Sequence, residues 1–553
     1  MYKVLIYARR ITAALAGGLI LLFFIDLTRI LPDGLHWLMH IQIVPALMAG
    51  LVGILVINLA MALLVGRVYC SVLCPLGILQ DFICRAKRWW VRIVRKKKRL
   101  KLKYSRPLNV FRYTVLSLTA LSFFVFGGAL LVLLLDPYSN FGRIAVSLFK
   151  PAAVWGNNMI AVAANDMGNY NWYNMSIHTF SPLLLIFSAV LSIALVVMAW
   201  RRQRLWCNTV CPVGALLSLF SRFSLVRISI DESKCTHCRR CTKSCKSRCI
   251  DDRRYHVDSS RCVNCYNCLG TCKFDAIGLK ADGWNFKRAG KDKKTDAPAA
   301  DSGKNNFTSA AHTIRKEVIA PENPAGDGWA ASDTMPAKGG VSRELFLRGS
   351  AVALAAIPLS AFAIPRDLPK RGVHARPPGA VKDFAAKCTA CQLCVSRCPM
   401  QVIKPAFLEN GFTGMMQPYM YFQPHCYCNY ECTICGDVCP NRALEKLTVE
   451  QKRLRQIGVV NFVIDECIVK SEDQDCGACA EHCPTGAVKM VLYRNGLTIP
   501  EIEPEICIGC GACESICPVR PDAIFIEGLR EQGVADPPHI QESTETVIED
   551  FGF

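Results

Sequence analysis

The arrangement of the cysteines constrains this chain more than anything else in it. Of 553 residues, 31 are cysteine, and most stand in tight runs of four. A disulfide scaffold is usually a short secreted chain without long apolar stretches. Here the runs accompany segments apolar enough to enter a membrane, which points to thiolates that bind metal. Cys235-x2-Cys238-x2-Cys241-x3-Cys245 is followed by Cys262-x2-Cys265-x2-Cys268-x3-Cys272. In such pairs three close cysteines wrap one [4Fe–4S] cubane and the fourth reaches across to the other. The expected sets are therefore Cys235, Cys238, Cys241 and Cys272 for one centre, and Cys262, Cys265, Cys268 and Cys245 for its neighbour. Zinc ribbons also use Cys-x2-Cys pairs, but two complete four-cysteine runs favour clusters. Lys246 and Lys273 follow the fourth cysteines, where proline is usual, and Cys249 is a spare that could replace Cys245.

Four more runs lie toward the C-terminus: Cys388, Cys391, Cys394 and Cys398; Cys428, Cys432, Cys435 and Cys439; Cys467, Cys476, Cys479 and Cys483; and Cys507, Cys510, Cys513 and Cys517. Cys426 is an alternative first ligand of the second. Sixteen thiols suffice for four further cubanes, six in all. Because the outer two runs are regular and the inner two irregular, the expectation is a nested arrangement. In it Cys517 completes the first cluster and Cys398 the last, while Cys439 and Cys483 exchange between the inner pair. Sequential pairing is the alternative. The net charge of +20 counts every thiol as neutral. Several cubanes, each about −2 when oxidised, would cancel much of it, so nucleic-acid binding does not follow from the basic composition.

Four segments, near residues 11–31, 41–66, 114–135 and 180–200, are apolar enough to span a bilayer. After the second come Arg85, Lys87, Arg88, Arg92 and the basic run 95–99; after the third only Arg143 and Lys150. The positive-inside rule then puts the N-terminus and the module after the fourth span in the cytoplasm. The basic run and the Trp89-Trp90 pair read as contact with membrane lipid. This half also repeats: Cys70-x3-Cys74-Pro75 follows the second span and Cys207-x3-Cys211-Pro212 the fourth. Cysteines four apart share a helical face, and two such pairs supply four soft ligands. Packing thiols, a shared metal or cluster site, and a redox-active dithiol pair all remain open here.

The expected organisation is a four-helix transmembrane bundle over 1–225, a small α+β ferredoxin-like two-cluster module over 226–280, and a flexible linker over 281–341. An apolar segment at 342–365 follows, then a four-cluster polyferredoxin domain over 366–535 and a tail over 536–553. The segment after Ser342-Arg343-Glu344 resembles a twin-arginine export signal in which Glu344 replaces the second arginine. It is a weak fifth span, a surface helix or a remnant, and a slight lean toward a crossing puts the polyferredoxin in the periplasm. Through the two Cys-x3-Cys-Pro motifs and the two runs after them, residues 1 to about 280 resemble the NapH/MauN-like membrane quinol dehydrogenases. Residues from about 342 to 530, with their cysteine runs and export-signal remnant, resemble the NapG/MauM-like polyferredoxins. The resemblance implies a natural fusion in a prokaryotic cytoplasmic membrane that passes electrons from the quinol pool to a redox protein. NosR-like and oxidase-assembly proteins share the membrane motifs, so a redox sensor, an assembly factor or a plain relay subunit is the alternative. Quinol oxidation needs proton acceptors in a membrane pocket. Asp26, one helical turn from Arg29, is a candidate, although a structural ion pair there is equally expected. His36, His40 and Asp136, near the outer span ends, are the others.

Overall fold

The computed structural model describes residues 2–26, 31–94, 104–126, 130–177, 181–281, 373–406, 409–411, 414–422 and 425–538. The linker beyond 281, the twin-arginine-like segment, the tail after 538, the basic run 95–99 and Arg29 lie outside the described residues. Met1–Gly290 and Arg371–Phe553 form one compact unit.

Among the described residues two helices are long and apolar enough to cross a membrane: α1 (Tyr2–Ile25) and a later helix, Pro182–Arg202. Helix α1 carries no proline, and it buries Ile6, Ala13, Ala16, Ile20, Phe23 and Phe24 along one stripe, the period of a helix packed on one face. The second expected span is not a single helix. It is broken into Ile43–Met48 and α2 (Val52–Leu64), where Gly50 turns the chain at φ +71°. The third begins as α4 (Asn109–Phe126) and resumes as Leu130–Leu135. Between them α3 (Pro75–Val94) takes the first half of the expected basic loop. Its proline occupies the first turn, where a missing N–H costs nothing.

The expected outer loop is also helical. From Pro137 the chain forms α5 (Pro137–Ile144), a π turn over Ala145–Phe149, and α6 (Lys150–Asp166). Asp136 caps it, accepting from the amides of Tyr138 (3.3 Å) and Ser139 (2.8 Å), and every residue of α5 is buried. Then α7 (Pro182–Arg202) and α8 (Pro212–Ser221) complete the bundle.

The rest is small two-stranded ribbons. β1 (Val226–Ile230) pairs antiparallel with β4 (Ile277–Ala281), enclosing the short ribbon of β2 (Ile250–Asp251) and β3 (His256–Val257). In the C-terminal part β5 (Ile403–Pro405) pairs with β6 (Pro418–Met420), β7 (Arg455–Phe462) with β10 (Ile524–Val534), and β8 (Val488–Leu492) with β9 (Thr498–Ile502), all antiparallel.

These ribbons pack at the two ends of α1. At its start Ile6 shares a core with Ile228, Ile250, Cys245 and Cys268. At its end Ser396 Oγ donates to the carbonyl of Phe24, and Arg397 pairs with Asp26. At 1.5 Å per residue, the 18 residues from Ile6 to Phe24 set these two attachments about 27 Å apart along α1.

Candidate metal centres

Each regular Cys-x2-Cys-x2-Cys loop repeats one backbone device. The residues just before and just after the middle cysteine are left-handed: His237 and Arg239, Asn264 and Tyr266, Ala390 and Gln392, Gly509 and Gly511. Most are not glycine, and a left-handed non-glycine costs roughly 1–2 kcal/mol, so the surrounding structure must impose it. Backbone that alternates hand turns successive N–H groups toward one concavity, the nest that suits anions such as iron–sulfur clusters. At Gly511, φ is +78° and an added Cβ would stand 2.0 Å from Phe422; no side chain fits there.

The thiols gather as cluster sets. One pocket is lined by Cys245, Cys249, Cys262, Cys265 and Cys268, and another by Cys235, Cys238, Cys241 and Cys272. Both match the exchange expected in the first module. Cys249 belongs to the site too, with its sulfur 3.5 Å from that of Cys245.

In the C-terminal part the grouping is sequential, not nested. A third pocket joins Cys398 to Cys428, Cys432 and Cys435. Cys439 stands with Cys388, Cys391 and Cys394, raising their thiols after burial does. Cys483 lies beside Cys507, Cys510 and Cys513, and Cys517 beside Cys467 and Cys476. The nested expectation fails because the first two runs fold around each other through β5 and β6, and the last two around β7 and β10. Cys428, not Cys426, is at the cavity; Cys426 faces Lys404 instead.

Burial pushes Cys391, Cys479 and Cys510 up to about 12 and Cys398 to about 11. As free thiols these groups hold their protons near neutral pH, so a metal must displace protons to bind. Among the described residues no three His, Cys, Asp or Glu side chains converge tightly enough for a single metal ion.

Of the residues expected to serve quinol, Asp26 and Asp136 both have partners within the fold. Asp26 is ion-paired with Arg397, both side chains at most 6% exposed. Asp136 is fully buried as the cap of α5 and also accepts from Ser139 Oγ at 2.6 Å. His36 packs against Phe23, ring centroids 5.0 Å apart. His40 sits against Pro440, Arg442 and Lys446, and burial lowers its pKa. The contacts of Asp26 and His40 with the C-terminal part were not readable from the sequence, because they bridge residues hundreds of positions apart.

The 4Fe-4S binding domain family matches residues 46–101 and 184–230, so each match encloses one Cys-x3-Cys-Pro motif, and the 4Fe-4S dicluster domain family matches 474–520. The ferredoxin-type protein NapG of Escherichia coli is 31% identical over 170 residues, 28% of this chain and 71% of that protein. The chain belongs to the NapG/MauM ferredoxin-type family. The methylamine utilization ferredoxin-type protein MauM of Methylobacillus flagellatus is 30% identical over 163 residues, 27% of this chain and 67% of that protein. NapF of Escherichia coli, another ferredoxin-type protein, is 26% identical over 146 residues, 26% of this chain and 80% of its own length. No solved structure matches. Family membership and domain matches make this an iron–sulfur electron-transfer protein with 4Fe–4S clusters. The backbone nests and thiol-lined cavities fit that cofactor.

Proposed function

We propose that the chain lies in a prokaryotic cytoplasmic membrane and carries electrons between membrane quinol and a redox protein, through six [4Fe–4S] clusters held by the 24 cysteines grouped above. It acts as a fusion of a NapH/MauN-like quinol dehydrogenase with a NapG/MauM-like polyferredoxin. The observation that carries this reading is the attachment of the two ferredoxin modules to opposite ends of α1, a helix of membrane-crossing length. With the N-terminal module in the cytoplasm, the polyferredoxin is periplasmic.

The C-terminal clusters follow one another closely. The amide of Cys428 donates to the carbonyl of Cys510 at 2.9 Å, linking the second and fourth runs. Cys435 in turn neighbours Cys394 of the first run, whose Cys391 carbonyl would stand 2.2 Å from a Cβ at Gly142 on α5. Each bound cluster supplies a one-electron couple; the chain positions it, excludes water and donates N–H groups to its sulfurs. His36 and His40, at the outer end, are the remaining candidates to take protons from quinol.

Anaerobic protein in detergent, assayed for iron and sulfide and examined by EPR after a quinol analogue is added, tests this. At least about 24 irons per chain, with reduced-cluster signals on quinol addition that His36→Ala and His40→Ala weaken, support it. Full iron reduced only by dithionite would leave a relay without a quinol site. The structural engagement of Asp26 and Asp136 favours that second reading.

A further inference from the structure

We propose that Cys70, Cys74, Cys207 and Cys211 together hold a seventh iron–sulfur centre, which relays single electrons between the two ferredoxin modules. It rests on the electron-carrier reading above, because the attachments of the two modules lie about 27 Å apart along α1 and these cysteines stand in the core between them.

The repeat becomes a pseudo-two-fold. Arg67, just before the first motif, donates to the carbonyl of Cys207 at 3.0 Å, and Arg204, just before the second, donates to the carbonyl of Cys70. An added Cβ would stand 2.4 Å from the Cys70 carbonyl at Gly77, and 2.2 Å from the Cys207 carbonyl at Gly214. Each motif thus folds tightly onto its own first cysteine and is clamped by the arginine of the other. The four cysteines between are 2–4% exposed, and each lies within electrostatic reach of the others.

Every one of the four sulfurs has an N–H beside it. Arg67 Nη2 is 3.8 Å from Cys70, Gln80 Nε2 3.4 Å from Cys207, and the Gly214 amide 3.3 Å from Cys211. The Gly77 amide serves Cys74. Cys74 and Cys211 stand at the starts of α3 and α8, where a helix favours an anion. A packing thiol needs none of this; four thiolates do.

The charges agree. Arg9, Arg204 and Lys246 share a single buried carboxylate, Asp81, and Arg67 donates to Asn208, to two carbonyls and to the Cys70 sulfur. Arg67 Nε and Arg204 Nη2 are buried without a hydrogen-bond partner. Buried cations on this scale call for negative charge, and a four-thiolate cluster supplies it.

The position is also right. One continuous apolar core contains Cys265 of the inner module, then Cys70, Cys74 and Cys211, and Leu393 and Val438 of the polyferredoxin, with Cys391 and Cys394 packed against it. In the relay the centre accepts one electron from the cluster on one side and passes one to the cluster on the other, gaining and losing nothing else.

The test uses the full chain, purified anaerobically in detergent, with iron and sulfide counted and Mössbauer spectra recorded. Wild type should exceed the roughly 24 irons of six cubanes. The Cys70→Ser/Cys207→Ser variant should lose about 2–4 irons per chain while keeping the ferredoxin EPR signals, and electron equilibration between the modules should slow at least tenfold. Cys84→Ser, a buried cysteine on α3 outside the tetrad, should keep all its iron. Equal iron in wild type and double variant overturns the proposal, as does zinc or a disulfide at these thiols. If the double variant does not accumulate, wild type still decides: spectra accounted for by six cubanes alone overturn it. Iron is counted without quinol, so excess iron with no quinol response would sink only the quinol reading.

Discussion

The two ferredoxin modules are held to the bundle by different ion pairs. At the inner one Lys246, in the place where proline usually follows the fourth cysteine, reaches Asp81 at 2.8 Å within a knot that also takes in Arg9 and Arg204 of the bundle. The outer one is held mostly by donors aimed at main-chain carbonyls. Arg143 donates to Thr389 and Ala390 at 3.0 and 3.2 Å, and Lys150 to Ser396 at 2.6 Å; Arg397 with Asp26 is the one ion pair among these contacts. Of the three cations on the Asp81 carboxylate only Lys246 belongs to the inner module, and main-chain carbonyls hold that module as well, with Arg67 donating to Ser260 at 3.0 Å, Ser221 to Ser259 at 3.3 Å and Arg248 to Arg201 at 2.9 Å. Contacts to carbonyls spread the outer attachment over several residues, and no substitution can delete the acceptors.

This difference can be broken in a graded way. Asp81→Asn should do most damage, because it leaves three buried cations without a carboxylate; about 3–5 kcal/mol is the usual cost of stripping a buried pair. The expected result is selective loss of the two clusters of the inner module, read as about 8 missing irons per chain with the C-terminal EPR signals intact. Equal loss from both modules would refute the local role of the knot. Asp26→Asn should cost less, about 2–3 kcal/mol, since Arg143 and Lys150 still hold the outer face. Its signature is a lower midpoint for thermal bleaching of the iron–sulfur absorbance, with full iron at low temperature. Cys426→Ser should change neither iron content nor the midpoint, whereas Cys428→Ser should remove a cluster; the reverse would restore Cys426 as the ligand.

Much of this was legible in the cysteine spacing. The exchange of Cys245 and Cys272 in the inner module follows from the run pattern, and the Cys-x3-Cys-Pro repeat announces its own symmetry. The second span was misread because Gly50 breaks the apolar run over 41–66 without a polar residue to mark it. The outer helix from Pro137 to Asp166 was passed over although Asp136-Pro137 is a helix start; the basic-residue count that read this stretch as a loop is blind to it. The C-terminal pairing could not be chosen from spacing, since nested and sequential schemes use the same thiols and only the strand pairing separates them. The left-handed positions were hidden because Arg239, Tyr266 and Gln392 are not residues that signal such backbone.

The contact between Ser396 and Phe24 spans 372 positions of chain. At about 5–20 residues per second, synthesis delivers the partner of the outer end of α1 roughly 20 to 75 s after that end is made. During that interval Asp26 has no Arg397 to meet, and the bundle must wait with this face open. The polyferredoxin therefore arrives at a surface formed well before it, much as a separate subunit would.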